Sequence, residues 1–143
     1  MTTTAARDFS RRLRDSLKTH SLDALATCLD ENVEWSLYGP IDLFPFFGTR
    51  KGRGAVLAAI RELTQVLELR HYEPEHWLIS GAQAAALTRV GVRIRASGRI
   101  LTVRMAQFIT LRDGKLASIK LLLDTLDTAE QVLGRELDLS RTA

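Results

Sequence analysis

Apolar and polar positions change period part-way along this chain. From residue 5 to 19 they recur at a helical step, with Phe9, Leu13 and Leu17 spaced among charges, which predicts an amphipathic helix. Ser21 is a natural N-cap for a second helix over 21–30, with Leu22, Leu25, Ala26 and Leu29 on one face. Residues 33–38, VEWSLY, alternate as a strand does. GPIDLFPFFGTRKGRG, residues 39–54, holds two of the three prolines and predicts a long ordered loop, whose Leu43, Phe44, Phe46 and Phe47 need cover. A third amphipathic helix is predicted over 54–67. The period then becomes that of strands, over 69–80, 83–96, 99–112 and 115–124, joined by Gly81-Ala82, Ser97-Gly98 and Asp113-Gly114. A short helix over 125–133 ends at Gly134. Helices first and an antiparallel meander afterwards is the pattern of an α+β domain, with helices on one face of a curved sheet. It occupies the chain as one domain, 1–143, with its core over about 8–134.

Two-residue turns set a register, and the register sorts side chains by face. Pairing Arg112 with Lys115, Ala96 with Arg99 and Ser80 with Gln83 aligns Glu75, Thr88, Gln107 and Lys120 in one row, and His71, Val92, Val103 and Asp124 in another. Glu73, Val90, Met105 and Leu122 lie between them, and Trp77, Ala86, Ile109 and Ser118 follow. The opposite face carries Arg89, Arg93, Arg95 and Arg104, which makes it the outer one. The helices then cover the first face, and Lys120, Gln107 and Asp124 fall inside a concavity walled by Trp35, Trp77, Met105, Leu122, Thr88, Phe44 and Phe46. Charged groups are costly to bury alone, so polar residues in register on an apolar face suggest a lined pocket. Two other readings stand beside this one. Lys120 extends to a rim, and Asp124 simply caps the helix that follows it. Pro74 signals an edge strand or a bulge, and a bulge would move Glu73 and Glu75 off the face and bring Tyr72 or His76 onto it. Ile100, Phe108, Ile119 and Leu121, on the outer face with no helix left to cover them, predict a homodimer built sheet to sheet.

Composition narrows the classes. The chain has 143 residues, 45% hydrophobic and 26% charged, with a net charge of +3 and no basic run of the kind that grips nucleic acid. The single cysteine, Cys28, allows no internal disulfide. MTTTAARDFSRRLRDS has no apolar h-region and no apolar run reaches membrane-spanning length, so the expectation is a cytoplasmic protein without a membrane partner. His20, His71 and His76 have no ligand spacing, and GTRKGRG is no phosphate fingerprint, so neither a metal nor another cofactor is expected.

DENVEW (30–35), GTRKGRGAVLAAI (48–60), ASGR (96–99) and RDGKLASIKLLLDT (112–125), in that order, resemble the SnoaL-like, ketosteroid-isomerase-like branch of the nuclear transport factor 2-like superfamily. The resemblance implies a cone-shaped, cystatin-like α+β roll with a pocket between sheet and helices. It also implies that Asp124 matches the acid/base aspartate of the cyclases and epoxide hydrolases, and that Gln107 matches a position often held by histidine. The hydrolases' Arg-x-Asp pair is missing, since 93–95 reads Arg-Ile-Arg. The function so implied is binding of a small cyclic or apolar molecule. Asp124 would exchange a proton in an isomerase, cyclase or hydrolase, and Lys120, Gln107 or Tyr38 would stabilise the developing charge. The alternative is a non-catalytic binding or dimeric partner module, favoured by a glutamine that takes up no proton.

Overall fold

The computed structural model describes residues 2–39 and 44–136. The expectation for Leu43 lies outside them. The elements run α1 (Thr2–Thr19), α2 (Asp23–Ala26), β1 (Leu29–Tyr38), β2 (Gly48–Lys51), α3 (Arg53–Val66), β3 (Leu67–Ser80), β4 (Gln83–Ile94), β5 (Ile100–Arg112), β6 (Lys115–Leu123) and α4 (Thr125–Leu133). The predicted meander forms, and its strands stand within about two residues of their expected ends. Two elements differ from the reading. The second helix is one turn, because Leu29 leaves it to pair with Leu116 as the start of β1. The segment read as loop contains β2, which pairs antiparallel with β1 through Glu34–Lys51 and Trp35–Arg50.

The six strands form one sheet in the order β2-β1-β6-β5-β4-β3. It is mixed rather than antiparallel throughout, because β1 lies parallel to β6, with Trp35 opposite Ile119 and Leu37 opposite Leu121. No turn joins these two strands. The chain passes through β2, α3 and the whole meander before β6 returns beside β1, so local sequence carries no sign of the pairing.

The turns explain the register. Asp113 (φ 51°) and Gly114 (φ 77°) both lie in the left-handed region, as a two-residue hairpin of the primed type requires. The β4–β5 turn is longer. Ile94 N–H donates to the Arg99 carbonyl (2.8 Å), so four residues rather than two make the loop and Ala86 faces Gln107. A shift of two keeps every side chain on its expected face. In β3 the pairing slips by one residue between Leu69 and His71 and again between Pro74 and His76. These bulges bend the strand, and Tyr72 turns inward, as Pro74 foreshadowed.

The core lies between the concave sheet face and the helices. Ala6, Phe9 and Leu13 of α1 and Val56 and Ile60 of α3 are buried against Trp35, Val103, Ile109, Ile119 and Leu121. The outer face keeps Arg89 and Arg104 exposed, and Arg93 there pairs with Glu68. Among the described residues no helix is long and apolar enough to cross a membrane.

Candidate functional site

The slip that decides the site is in the last hairpin. Arg112 faces Lys115 and Leu111 faces Leu116, but beyond Ala117 the pairing shifts, so that Thr110 faces Ser118 and Phe108 faces Lys120. One inserted residue turns every later side chain of β6 to the other face. Ile119, Leu121 and Leu123 point inward, while Lys120 and Leu122 are exposed on the outer face. This corrects the expected placement of Lys120 and Leu122 in the concavity, and of Ile119 and Leu121 on the outside. Tyr38 is also exposed, because Trp35 and Leu37 take the inward positions of β1.

Inside the concavity is a cavity of about 100 Å³. Leu13 and Leu17 of α1 and Leu63 of α3 close it from above. Val90, Val92, Leu101, Val103, Met105 and Leu121 form its floor. Trp35, Phe44 and Phe47 form one side, and Thr128 of α4 reaches the wall. The predicted wall residues Trp35, Met105 and Phe44 are therefore present. Phe46 is buried behind them, stacked on Phe44 at 5.1 Å between ring centres. No carboxylate, histidine or lysine contributes to the wall. Thr128 Oγ1 is buried there without a partner among the described residues.

A polar chain runs beside the cavity. Gln107, fully buried, donates from Nε2 to the Tyr72 hydroxyl (2.8 Å), and that hydroxyl shares a hydrogen bond with Ser10 Oγ (3.1 Å). Burial pushes the Tyr72 phenol above its ordinary range; the bonds to Ser10 and Gln107 and the nearby charge of Arg14 oppose this without cancelling it. Tyr72 is thus a neutral hydroxyl. Gln107 Oε1 and Thr88 Oγ1, both fully buried, have no partner among the described residues. Gln107 and Thr88 lie on the predicted face, but outside the cavity wall. Trp77 lies outside it too, on the far side of Tyr72, with the Arg7 guanidinium 5.7 Å over its ring.

Asp124 is at the end of β6, where the sequence put it, and is exposed. Its Oδ1 accepts from the Asp127 backbone N–H (3.0 Å), and the Thr128 N–H donates to its carbonyl (2.9 Å), so it is the N-cap of α4. Asp124, Lys120 and Gln107 are not brought together. Sequence reasoning left out Ser10 and Thr128, and brought in Tyr72 only as a residue that a bulge at Pro74 would turn inward. The signal for Tyr72 was Pro74, and Ser10 had one in its helical spacing between Phe9 and Leu13.

The SnoaL-like domain family matches residues 10–119. Among solved structures, the chain is 38% identical to an isomerase candidate from Rhodopseudomonas palustris, with a TM-score of 0.89 over 94% of this chain and all of the other. A Bacillus subtilis isomerase candidate is 16% identical with a TM-score of 0.80, covering 96% and 99%. TerC, co-crystallised with polyporic acid, is 16% identical with a TM-score of 0.75, covering 90% and 98%. No curated protein matches the sequence.

Proposed function

From its place in the SnoaL-like family, to which the chain belongs, we propose that this protein binds a small, uncharged and largely apolar molecule in the cavity between its sheet and its helices. The observation that carries the reading is the wall. A protein interior is normally close-packed, yet here about 100 Å³ is left open among Leu, Val, Phe and Trp side chains, with no ionisable carboxylate to hold a charge. Such a space suits a ring or a short branched chain. Thr128 Oγ1 is the one unpartnered polar atom among the described wall residues, and fits a single carbonyl or hydroxyl on the ligand. Thermal unfolding with a panel of neutral monocyclic ketones and arenes tests this. A binding ligand raises the midpoint by mass action, and Val103→Phe or Val90→Leu, which fill the cavity, should remove the shift while the protein stays folded. Equal shifts in the filled variants would reject the cavity as the site.

A second reading, acid–base catalysis of the isomerase or cyclase kind, is favoured by the likeness to the Rhodopseudomonas palustris protein. It requires Asp124 to release the α4 cap and turn toward the cavity, one helical turn from Thr128. Asp124→Asn retains a capping side chain but no base, so a loss of turnover of about 10²–10⁴-fold at unchanged stability supports catalysis, and unchanged turnover leaves binding alone.

We also propose a homodimer through the outer sheet face. Leu78 is 76% exposed and Ile100 and Phe108 are 53% exposed each, with Leu122 nearby. Phe108 and Leu78 border a shallow groove of about 490 Å³ on that face. Light scattering should give twice the chain mass, and Phe108→Asp should give the monomer. A wild-type monomer at micromolar concentration would refute the dimer.

A further inference from the structure

A second pocket, of about 180 Å³, opens between α1 and β3. Arg7, Arg11 and Arg14 line one side of it, Pro74 and Trp77 the other, and Ser10 and Tyr72 the base. Residues 7, 11 and 14 share one stripe of α1, since steps of three and four return to the same side of a helix.

The three arginines are not equally engaged. Arg14 donates from Nε and Nη2 to Asp15 at 3.1 Å. Asp8, the other acid nearby on α1, is held by Arg12 at 2.9 Å, away from the pocket. On β3, Glu73 meets His71 at 3.2 Å and Glu75 meets Arg104 at 2.9 Å. Among the described residues, Arg7 and Arg11 are in no ion pair. Arg7 is set over the Trp77 ring, which fixes its position without neutralising it.

The base of the pocket supplies an independent observation. The Gln107 amide donates to the Tyr72 oxygen, and Ser10 and Tyr72 share one hydrogen between their oxygens. The two hydroxyls carry two hydrogens, and only one has an acceptor among the described residues. Ser10 is 3% exposed, so the remaining donor is a buried one at the edge of a space lined by cations. A buried donor without an acceptor costs free energy unless a ligand accepts from it.

We propose that this pocket binds the carboxylate of a small aromatic acid. Arg7 and Arg11 hold the anion, the spare hydroxyl hydrogen donates to it, and Trp77 and Pro74 cover the ring. A carboxylate fits the donors better than a spherical anion does, because a guanidinium presents parallel N–H groups. The apolar wall of Trp77 and Pro74 selects an acid with a flat body over acetate. The site is separate from the cavity of the proposed function, with Tyr72 as the partition between them.

Benzoate is the probe, with benzyl alcohol as its neutral counterpart, followed by calorimetry and by the two tryptophan indole N–H resonances. Benzoate should bind and move one indole resonance, that of Trp77, identified by its absence in Trp77→Phe. Its affinity should fall as sodium chloride screens the arginines. Arg11→Gln, on an exposed side chain, should weaken it about tenfold or more, the loss of one charge-assisted hydrogen bond. Ser10→Ala should weaken it by a smaller factor. Val103→Phe, which fills the other cavity, should leave it unchanged. Any of three results would overturn the proposal: no benzoate binding at about 10 mM, well above a millimolar dissociation constant; equal binding of benzyl alcohol; or equal benzoate affinity in Arg11→Gln. Loss of binding in Val103→Phe would instead place the acid in the apolar cavity and reject the arginine site.

Discussion

Gln107 of β5 reaches across the whole of β4 to donate a hydrogen bond to Tyr72 of β3, at 2.8 Å. The bond passes over a stretch of β4 where Ala86 and Thr88 are small enough to let two long side chains meet.

Removing one partner of this buried pair should cost more than removing both. Tyr72→Phe leaves Gln107 Nε2 without an acceptor, and should destabilise by about 1–3 kcal/mol. Gln107→Met combined with Tyr72→Phe should recover much of that loss. Urea unfolding of the two single variants and the double variant measures the coupling.

The same phenol sets an alkaline limit. Burial raises the Tyr72 value above the ordinary 10.0, so the unfolded chain loses its proton first as pH rises. The stability from the neutral phenol is complete below pH 10 and declines as pH climbs above it. Melting temperatures should fall more steeply above pH 10 in the wild type than in Tyr72→Phe.

Much of this fold is legible in the sequence, because its strands are long, local and joined by recognisable turns. Asp113-Gly114 marks the last hairpin, and β5 and β6 stand almost where alternation puts them. What alternation does not reveal is the single residue, Ala117, inserted after the turn. Alternation within LASIKLLLD favours Lys120 outward, since Ala117, Ile119, Leu121 and Leu123 are all apolar while Ser118, Lys120 and Asp124 are polar; only a hairpin register carried through without the bulge puts Lys120 inward. Burial decides it: Ile119 and Leu121 fill the core, and Lys120 is left in water. The wall residues Trp35, Met105 and Phe44 were foreseen because they precede or lie apart from that slip. The α1 arginines are visible in the sequence too, but only the bent β3 shows what they face.

Asp124 provides a test in which two substitutions separate. Asp124→Ala should cost about 1 kcal/mol through loss of the bond to Asp127 N–H, whereas Asp124→Asn, an equally good cap, should stay within a few tenths. Chemical denaturation distinguishes them, and an equal loss in both would point to the charge rather than the cap.

At the acid end, Glu68 is held below its ordinary value near 4.5, first by the two hydrogen bonds from Arg93 (2.7 and 3.1 Å) and then by the charges of Arg93, Arg95 and Arg70. Arg104 acts on Glu75 in the same way. The unfolded chain therefore binds these protons first as pH falls, and stability is lost from about pH 4.5 downward. Glu68→Gln should be less stable than wild type at pH 7 and should converge with it near the acid limit, as followed by melting temperature against pH.

Leu121 measures how tightly the cavity is built. Leu121→Ala removes three buried side-chain carbons from the cavity floor and should cost about 2–5 kcal/mol by urea unfolding. A neutral arene should restore part of that loss, because the enlarged space gives it room.

The bends in β3 reach beyond the pocket they shape. This strand ends the sheet, and a straight terminal strand offers a row of free N–H and C=O groups to any other extended chain. Pro74 has no N–H to offer, and the slips after Leu69 and Pro74 break the remaining groups into short, differently aimed pieces. Its outward side chains, Glu68, Arg70, Glu73 and Glu75, add charge to that margin. A second chain therefore meets no continuous ladder to extend there, and the curvature that opens the cavity also works against edge-to-edge growth into a fibre.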